Sequence, residues 1–520
     1  MLSVYDTKLY AAAETERKEQ EEKRMIETLL EQIKRQEDVR KALSQLRAEI
    51  KTEEANRHVR ELIGDGSEIV QLLLSEDPKI RKNAAALLGD LEVEAAAEAI
   101  YHAYQKEQTL FVRGSLLQAL EQTNAYPYLS ELRDQYEMLC RREPEEAEKK
   151  HVREELHALE RIFRSEGLTR RHKFTGWDNQ FLILLITNPQ YAALTADQLP
   201  PCRQKLSSLG VQAIVEDLRP IVKIRTFREL LFPIRLSEKV SMEDGPEALG
   251  EAIVKSRLLS VIERSHREPG PFQFRLDLKG GFSLEERSRY LKRAAAVIEE
   301  KSDRKLLNAP DEYEFEIRLL PDKEQNIHVF LKMFTIPMDR FSYRRETIAA
   351  SIQPSAAAMF FELAKPYLKE QAQVLDPCCG VGTMLVERDR VLPVRMAYGI
   401  DTFGEAVEKA RRNTKSAGMQ VNFINRDYLD FKHSYPFDEI IANLPVRGKR
   451  TKEEQDAFYA GFFKKSEELL APDGMMILYS NEAGFIKKQL RLHPKFKLYQ
   501  EYMILEKGQF CLYVIGMQRG

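Results

Sequence analysis

Val374-Leu375-Asp376-Pro377-Cys378-Cys379-Gly380-Val381-Gly382-Thr383 runs from an apolar strand, through an acid, into a glycine-rich turn. Roughly sixty residues further on, Ile441-Ala442-Asn443-Leu444-Pro445-Val446 leaves a second apolar strand for a loop. Around these two segments the chain alternates. Apolar runs predict strands at 373–376, 395–401, 421–425, 439–443 and 475–480, and helical periodicity predicts helices at 384–390, 404–417, 452–470 and 483–490. That alternation predicts an α/β doubly wound parallel sheet over residues 345–520. The end of the chain departs from it: 498–505 and 510–517 flank Glu506-Lys507-Gly508-Gln509 and read as an antiparallel hairpin.

With 520 residues the chain is too long for one ordinary domain and suggests about three. A hydrophobic content of 43% beside 31% charged residues is that of a globular protein. The formal charge of −2 excludes a global electrostatic case for nucleic-acid binding, so any such surface must be local. No apolar run approaches the ~18 residues of a membrane span, and Met1-Leu2-Ser3-Val4-Tyr5 lacks the layout of a secretory signal. The five cysteines, two of them adjacent, have neither disulfide-framework nor metal-ligand spacing. The expectation is a cytoplasmic protein with reduced thiols, no membrane partner and no metal.

Residues 1–60 read as a charged amphipathic helix, with Met25, Ile26, Leu29, Leu30 and Ile33 at helical spacing. An arm packing on the next domain is the plainer reading, self-association the other. The chain reads as multidomain, and its residues 61–165 are wholly helical in pattern: Ile80, Arg81 and Leu88 fall opposite Val112, Arg113 and Leu120, a period of 32 residues from Pro78 to Leu110. The segment Asp77-Pro78-x-Ile80-Arg81 resembles the start of a HEAT-type repeat, which implies a short adaptor able to hold a protein partner. Residues 170–340 mix strands and helices as an α+β domain: strands at 181–186, 272–278, 313–320 and 328–334, and a helix at 283–301 opened by the capping-box pattern Ser283-Leu284-Glu285-Glu286. Their order resembles the second half of a THUMP domain, a module that grips structured RNA.

The turn at 377–383 and the acids at successive strand ends are where an open α/β sheet keeps a ligand. Gly380 and Gly382 let the backbone approach it, and Thr383 is placed to open a helix whose free N–H groups face it. Asp376, Asp401 and Asp427 follow the first three strands. A nicotinamide-binding fingerprint is the rival reading, but it needs a third glycine where this chain has Leu385, and it leaves Asn443-Leu444-Pro445 without a use. Arg447, Lys449, Arg450 and Lys452 follow that loop as a local basic run, and Arg340, Arg344 and Arg345 form another ahead of the domain.

Together with Ser351-Ile352-Gln353-Pro354-Ser355, these two segments are similar to the THUMP-associated, Rossmann-like S-adenosylmethionine-dependent methyltransferases that act on guanine N2 in tRNA or rRNA. The resemblance implies that S-adenosyl-L-methionine is the cofactor, held by Asp376, Pro377, Cys378, Gly380, Gly382, Thr383, Asp401 and Asp427. It implies catalysis by Asn443 and Pro445, whose loop positions an exocyclic amine, and substrate contacts from Leu444, Val446, Arg447, Lys449 and Arg450. The implied partner is RNA, tRNA first and rRNA second. The family pattern puts an aromatic ring after Asn-x-Pro to stack on the base, where this chain has Val446; Tyr428, Phe458 and Tyr459 are the neighbouring rings. Adenine-N6 methylation of DNA or RNA is the alternative within the chemistry, and a catalytically inactive RNA-binding scaffold is the alternative outside it.

Overall fold

Apolar residues three and four apart give each helix of the first part of the chain one stripe to bury. The computed structural model describes residues 20–518 except 143, 166–171, 269 and 350, and the chain divides into two compact units, Met1–Arg170 and Arg171–Gly520.

In the first unit the charged segment is not the single helix that its periodicity predicts. Residues 20–34, Val39–Glu49 and Glu53–Ile63 are separate helices; the part before residue 20 lies outside the described residues. Gln36 and Asp38 take positive φ at the first break, and Thr52 caps the third helix by accepting from the Ala55 N–H. Ile26, Leu29, Leu30, Ile33, Val39, Leu43 and Leu46 all enter one buried cluster, which a straight rod about 60 Å long would not allow. The stripe is thus core rather than a self-association seam. No glycine or proline marks the turn, so periodicity alone misses it. Beyond it, helices Pro78–Asp90 and Ala97–Lys106 are followed by Leu110–Thr123 and Leu129–Arg141, each start displaced by the 32-residue period. The equivalent arginines do equivalent things: Arg81 clasps Glu107 and donates to the Ser75 carbonyl, while Arg113 clasps Glu155 and donates to the Glu107 carbonyl.

The second unit carries two sheets. The described strands of the first are β1 (Phe181–Ile186), β2 (Arg203–Ser207), β3 (Gly210–Val215), β4 (Glu229–Ile234), β5 (Phe272–Leu278), β6 (Leu306–Asn308), β7 (Phe315–Pro321) and β8 (Ile327–Met333), in the order β2-β3-β1-β4-β8-β7-β5-β6. β5 runs parallel to β6 and β7; the other pairings are antiparallel. Every second residue of β5 is buried, as its alternation predicts. Helix Leu284–Lys301 covers this sheet and opens with the Ser283/Glu286 capping box.

The second sheet contains β9 (Gln373–Asp376), β10 (Met396–Asp401), β11 (Asn422–Asn425), β12 (Phe437–Asn443), β13 (Leu470–Ser480), β14 (Phe496–Leu505) and β15 (Phe510–Met517), in the order β11-β10-β9-β12-β13-β15-β14. β9 to β13 are parallel, and the closing hairpin pairs antiparallel to them. The chain winds outward from β9 through β10 to β11, then returns to lay β12 on the other side of β9. Such a reversal is where open α/β sheets keep their ligand crevice, here at the carboxyl ends of β9 and β12.

The two sheets are bolted together. Arg225, ahead of β4, clasps Glu387 of helix Thr383–Val391 at 2.8 and 2.9 Å, and the Tyr343 hydroxyl donates to the same carboxylate at 2.6 Å. Asn188 and Tyr191 donate to the Ile504 and Met503 carbonyls at 2.7 and 3.0 Å, covering the edge of β14. The run Arg340, Arg344 and Arg345 is not the free basic patch that the sequence suggests. The Arg340 guanidinium lies 3.5 Å from the Phe227 ring centre and donates to the Ile224 carbonyl, and burial beside Arg225 pushes its pKa down to about 9. Arg344 donates to the Ile352 carbonyl, leaving Arg345 as the exposed member.

Candidate cofactor and amine site

All of β9 is buried, so its last residue, Asp376, meets the crevice without meeting water. Its Oδ1 accepts the Cys378 N–H at 3.1 Å, whereas Oδ2 is buried with no partner. Burial, with the Asp401 charge adding to it, pushes this carboxyl up to about 8. The turn that follows is held by the neighbouring strand: Cys379 N–H donates to the Ile400 carbonyl at 2.9 Å and Gly380 N–H to Asp401 Oδ2 at 2.8 Å. Gly380 and Gly382 both take positive φ, 50° and 82°, which side chains resist. A Cβ at Gly382 would press on Thr414 at 3.2 Å, but one at Gly380 would meet only Ile348 at 3.9 Å, so the face at Gly380 is open. Gly382 then starts helix Thr383–Val391, and the Thr383 hydroxyl is buried there without a partner. Pro377 is buried and Cys378 half-buried; burial raises both the Cys378 and Cys379 thiols, so neither is a ready nucleophile.

Asp401 ends β10 with Oδ1 accepting the Phe403 N–H at 2.9 Å and Oδ2 the Gly380 N–H. A carboxylate has about four lone-pair sites, so two remain for hydroxyl donors. Asp427 caps the short turn Tyr428–Asp430, accepts the Leu429 N–H at 2.9 Å and is exposed at the end of β11. Phe403, half exposed beside Asp401, is an apolar face that the sequence reading did not single out.

β12 and β9 pair with Ile440 opposite Leu375, which sets Asn443 beside the glycine turn. The chain then peels away: Leu444 N–H donates to the Tyr479 carbonyl at 3.0 Å. Asn443 and Pro445 are partly exposed, while Arg447, Lys449 and Arg450 are exposed. Leu444, expected to touch substrate, is instead a buried anchor in the cluster containing Tyr428, Tyr459 and Phe462. Val446 is 54% exposed and supplies no ring. Two of the three substitute rings are also excluded: Tyr428 is buried with its hydroxyl 3.0 Å from Ser466 Oγ, and Tyr459 is buried with its hydroxyl 2.7 Å from Ser480 Oγ. Phe458 remains, half-buried, with the Arg450 guanidinium 5.1 Å from its centre.

Sequence reading also missed Glu387 and Arg388. Arg388 and Glu439 are 0% and 1% exposed and form a bidentate pair between the helix after the glycine turn and β12. The signal was weak: Glu387 and Arg388 open a run of four charges, Glu387-Arg388-Asp389-Arg390, set between apolar residues.

Residues 342–508 match the family described as UPF0020, RMKL-like, methyltransferase domain. The chain is 28% identical over 171 residues to the U6 snRNA (guanine-N(2))-methyltransferase THUMPD2 of Mus musculus, covering 31% of each protein. It is 25% identical over 153 residues to the carboxy-S-adenosyl-L-methionine synthase of Nautilia profundicola, covering 28% of this chain and 65% of that one. The chain therefore spans under two thirds of the length of both curated relatives. TrmN from Thermus thermophilus aligns in structure with a TM-score of 0.48 and 18% identity, over 66% of this chain and all of that one. The crevice suits the cofactor such domains use: an orphaned buried carboxylate oxygen for a cation, an open face at Gly380, and a second acid with spare lone pairs for hydroxyls. The C-terminal part of this chain is an S-adenosylmethionine-dependent methyltransferase domain.

Proposed function

We propose that the chain methylates an exocyclic amine of an RNA base, guanine N2 first, with tRNA the preferred substrate and rRNA the second. The observation that carries this reading is the pairing of β9 with β12, which sets Asn443 beside the Gly380 turn at one crevice. S-adenosyl-L-methionine supplies a methyl group activated by its sulfonium. Asp376, Gly380, Gly382, Thr383, Asp401 and Asp427 hold it, with Phe403 against its apolar face. An exocyclic amine is a weak nucleophile because its lone pair is delocalised into the ring. Asn443 Oδ1 and the carbonyl preceding Pro445 accept its two N–H groups and turn the lone pair toward the methyl carbon, at about 3–3.5 Å. No general base is required at this stage, since position and electrostatics do the work. Pro445 keeps the turn rigid and brings no N–H to compete.

The name of the THUMPD2 relative, a guanine-N2 methyltransferase of an RNA, supports this substrate class. In the same reading the sheet of β1–β8 is a THUMP-like RNA grip, the helical repeats of the first unit are a HEAT-like adaptor for a protein partner, and the location is cytoplasmic. Among the described residues no helix is long and apolar enough to cross a membrane.

Incubation with methyl-labelled cofactor and total tRNA, rRNA or DNA, followed by nucleoside analysis, tests the reading. N2-methylguanosine is the expected product, and Asn443→Ala is expected to lower the rate about 100-fold or more. Label in N6-methyladenosine moves the assignment to the other base, and label that survives Asn443→Ala removes the amine site. The absence of a ring at Val446 favours one second reading, an RNA-binding scaffold; cofactor binding without transfer to any pool would establish it.

A further inference from the structure

The methyltransferase crevice lacks the stacking ring expected after Asn-x-Pro: Val446 is aliphatic, and Tyr428 and Tyr459 are locked in the core. A base amine held by hydrogen bonds alone is free to swing about the axis they define, so some planar group must fix the plane of the base. The candidates are the groups fixed in place beside the Asn443 loop with an open face.

Arg450 meets that description. Gly448, at φ 57°, turns the loop back so that the Arg450 N–H donates to the Arg447 carbonyl at 3.0 Å. Thr451 immediately caps helix Lys452–Leu469 with a complete capping box, so the Arg450 backbone is fixed on both sides. The guanidinium lies 5.1 Å from the Phe458 ring centre and donates to Gln455 Oε1 at 3.3 Å. Gln455 is itself fully buried, so the oxygen that accepts from Arg450 is held in place. Arg450 is exposed as a residue even though its guanidinium lies over the Phe458 ring. Arg450 lies seven residues beyond Asn443, on the short loop that joins β12 to helix Lys452–Leu469.

We propose that the Arg450 guanidinium, backed by Phe458, is the platform on which the acceptor base stacks, in place of the ring missing at position 446. An arginine plane takes that part in RNA recognition because it is flat, charged and weakly hydrated. The base then lies in a three-layer stack of Phe458, Arg450 and base, with its amine edge toward Asn443. The inference rests on the proposed amine chemistry and deepens it: it makes Arg450 a positioning residue that selects unpaired, stackable bases, not merely a phosphate contact.

The test uses the full-length chain with total tRNA, and in parallel a short single-stranded RNA carrying 2-aminopurine, whose fluorescence reports stacking without turnover. Arg450→Ala is expected to lower kcat/KM for tRNA about 5- to 150-fold and to abolish the 2-aminopurine quench, with cofactor affinity retained. Arg450→Lys should be as poor as Arg450→Ala, because an ammonium has charge but no plane. Val446→Phe placed in the Arg450→Ala background should restore part of both signals by returning the ring to its usual place. If Arg450→Lys matches the parent, or the double variant recovers nothing, Arg450 is a phosphate contact and the stacking assignment is wrong. A parent protein that quenches 2-aminopurine through Arg450 yet transfers no methyl overturns the catalytic reading alone. Methyl transfer indifferent to Arg450→Ala overturns the stacking alone.

Discussion

Asp376 has no exposed surface, one N–H on Oδ1 and nothing on Oδ2. With its folded pKa raised from the ordinary value of 3.8 to about 8 by burial and by Asp401, the folded protein keeps a proton that the unfolded chain releases. Stability contributed by this group therefore falls as pH rises between those two values and is flat outside them. Asp376→Asn, which cannot ionise, should melt no higher than the parent near pH 4 and increasingly higher as pH approaches 8 in cofactor-free thermal scans; a constant difference would show that Asp376 is already ionised. Cofactor binding has the opposite sign. A cation favours the ionised carboxylate, so affinity should climb up to about pH 8 with proton release, then level. Asp376→Asn should remove that slope and weaken binding about 10- to 100-fold, the size of a charge-assisted hydrogen bond. Calorimetric titration in two buffers of different ionisation heat reads both. The placement of Asp376, Asp401 and Asn443 at strand ends, with Gly380 and Gly382 in the turn after the first, was legible in the sequence because apolar runs that stop at an acid or an amide mark where strands end. Leu444, Tyr428 and Tyr459 were not: a loop residue next to a reactive one faces inward or outward according to packing, which spacing does not encode.

Helix Thr383–Val391 shows what an element adds beyond its residues. It starts directly from the glycine turn, and its last turn carries Arg388 into a bidentate pair with Glu439 of β12, the strand that ends in Asn443. Arg388 also donates to the Leu392 and Lys369 carbonyls, and Glu439 accepts the Lys369 N–H, so the buried pair is fully hydrogen-bonded. Removing one partner leaves a charge without water or counterion: Glu439→Gln or Arg388→Met should each cost about 3–5 kcal/mol in chemical denaturation. Arg388→Met combined with Glu439→Leu should recover much of that, since an apolar pair of similar volume removes the desolvation penalty. A double variant as unstable as the singles would show that the pair is irreplaceable for reasons of shape. β9, β12 and β15 fall within a few residues of their sequence-based positions because strands buried on both faces are continuous apolar runs. β13 is the exception: it begins at Leu470, ahead of Ala471-Pro472-Asp473-Gly474, which reads as a turn and is tied in by Leu470 pairing with Phe437 across a register shift. The break of the charged helix at Gln36–Asp38 was illegible for the converse reason, a turn made by ordinary polar residues.

At the scale of the second unit, the sequence suggested which elements exist and in what order, but not how the sheet of β1–β8 holds that of β9–β15, because no local pattern marks a contact between residues more than a hundred positions apart. Arg225 and Glu387 are such a pair. The upstream arginines read as a nucleic-acid patch, whereas Arg340 is spent on Ile224 and on the Phe227 ring. The result is a direct connection from the β1–β8 sheet to the helix that follows the glycine turn, since Glu387 stands one helical turn beyond Thr383. Cutting it should separate two quantities that a simple loss of folding would lower together. Arg225→Ala leaves Glu387 buried with Tyr343 as its remaining side-chain donor, and should destabilise the docking by about 3–5 kcal/mol. The Asn188 and Tyr191 contacts on β14 stay intact, so the two sheets should remain attached. If the β1–β8 sheet grips the RNA as proposed, methyl transfer to intact RNA should then fall at least about 10-fold, while transfer to a short single-stranded RNA that reaches the Asn443 loop alone should change by less than about 2-fold. Adding Asn188→Ala and Tyr191→Phe should free the sheets from each other, seen as a larger radius of gyration by small-angle scattering. Equal losses on long and short substrates would mean that Arg225 supports the crevice itself and that the two sheets do not act as a ruler for the RNA.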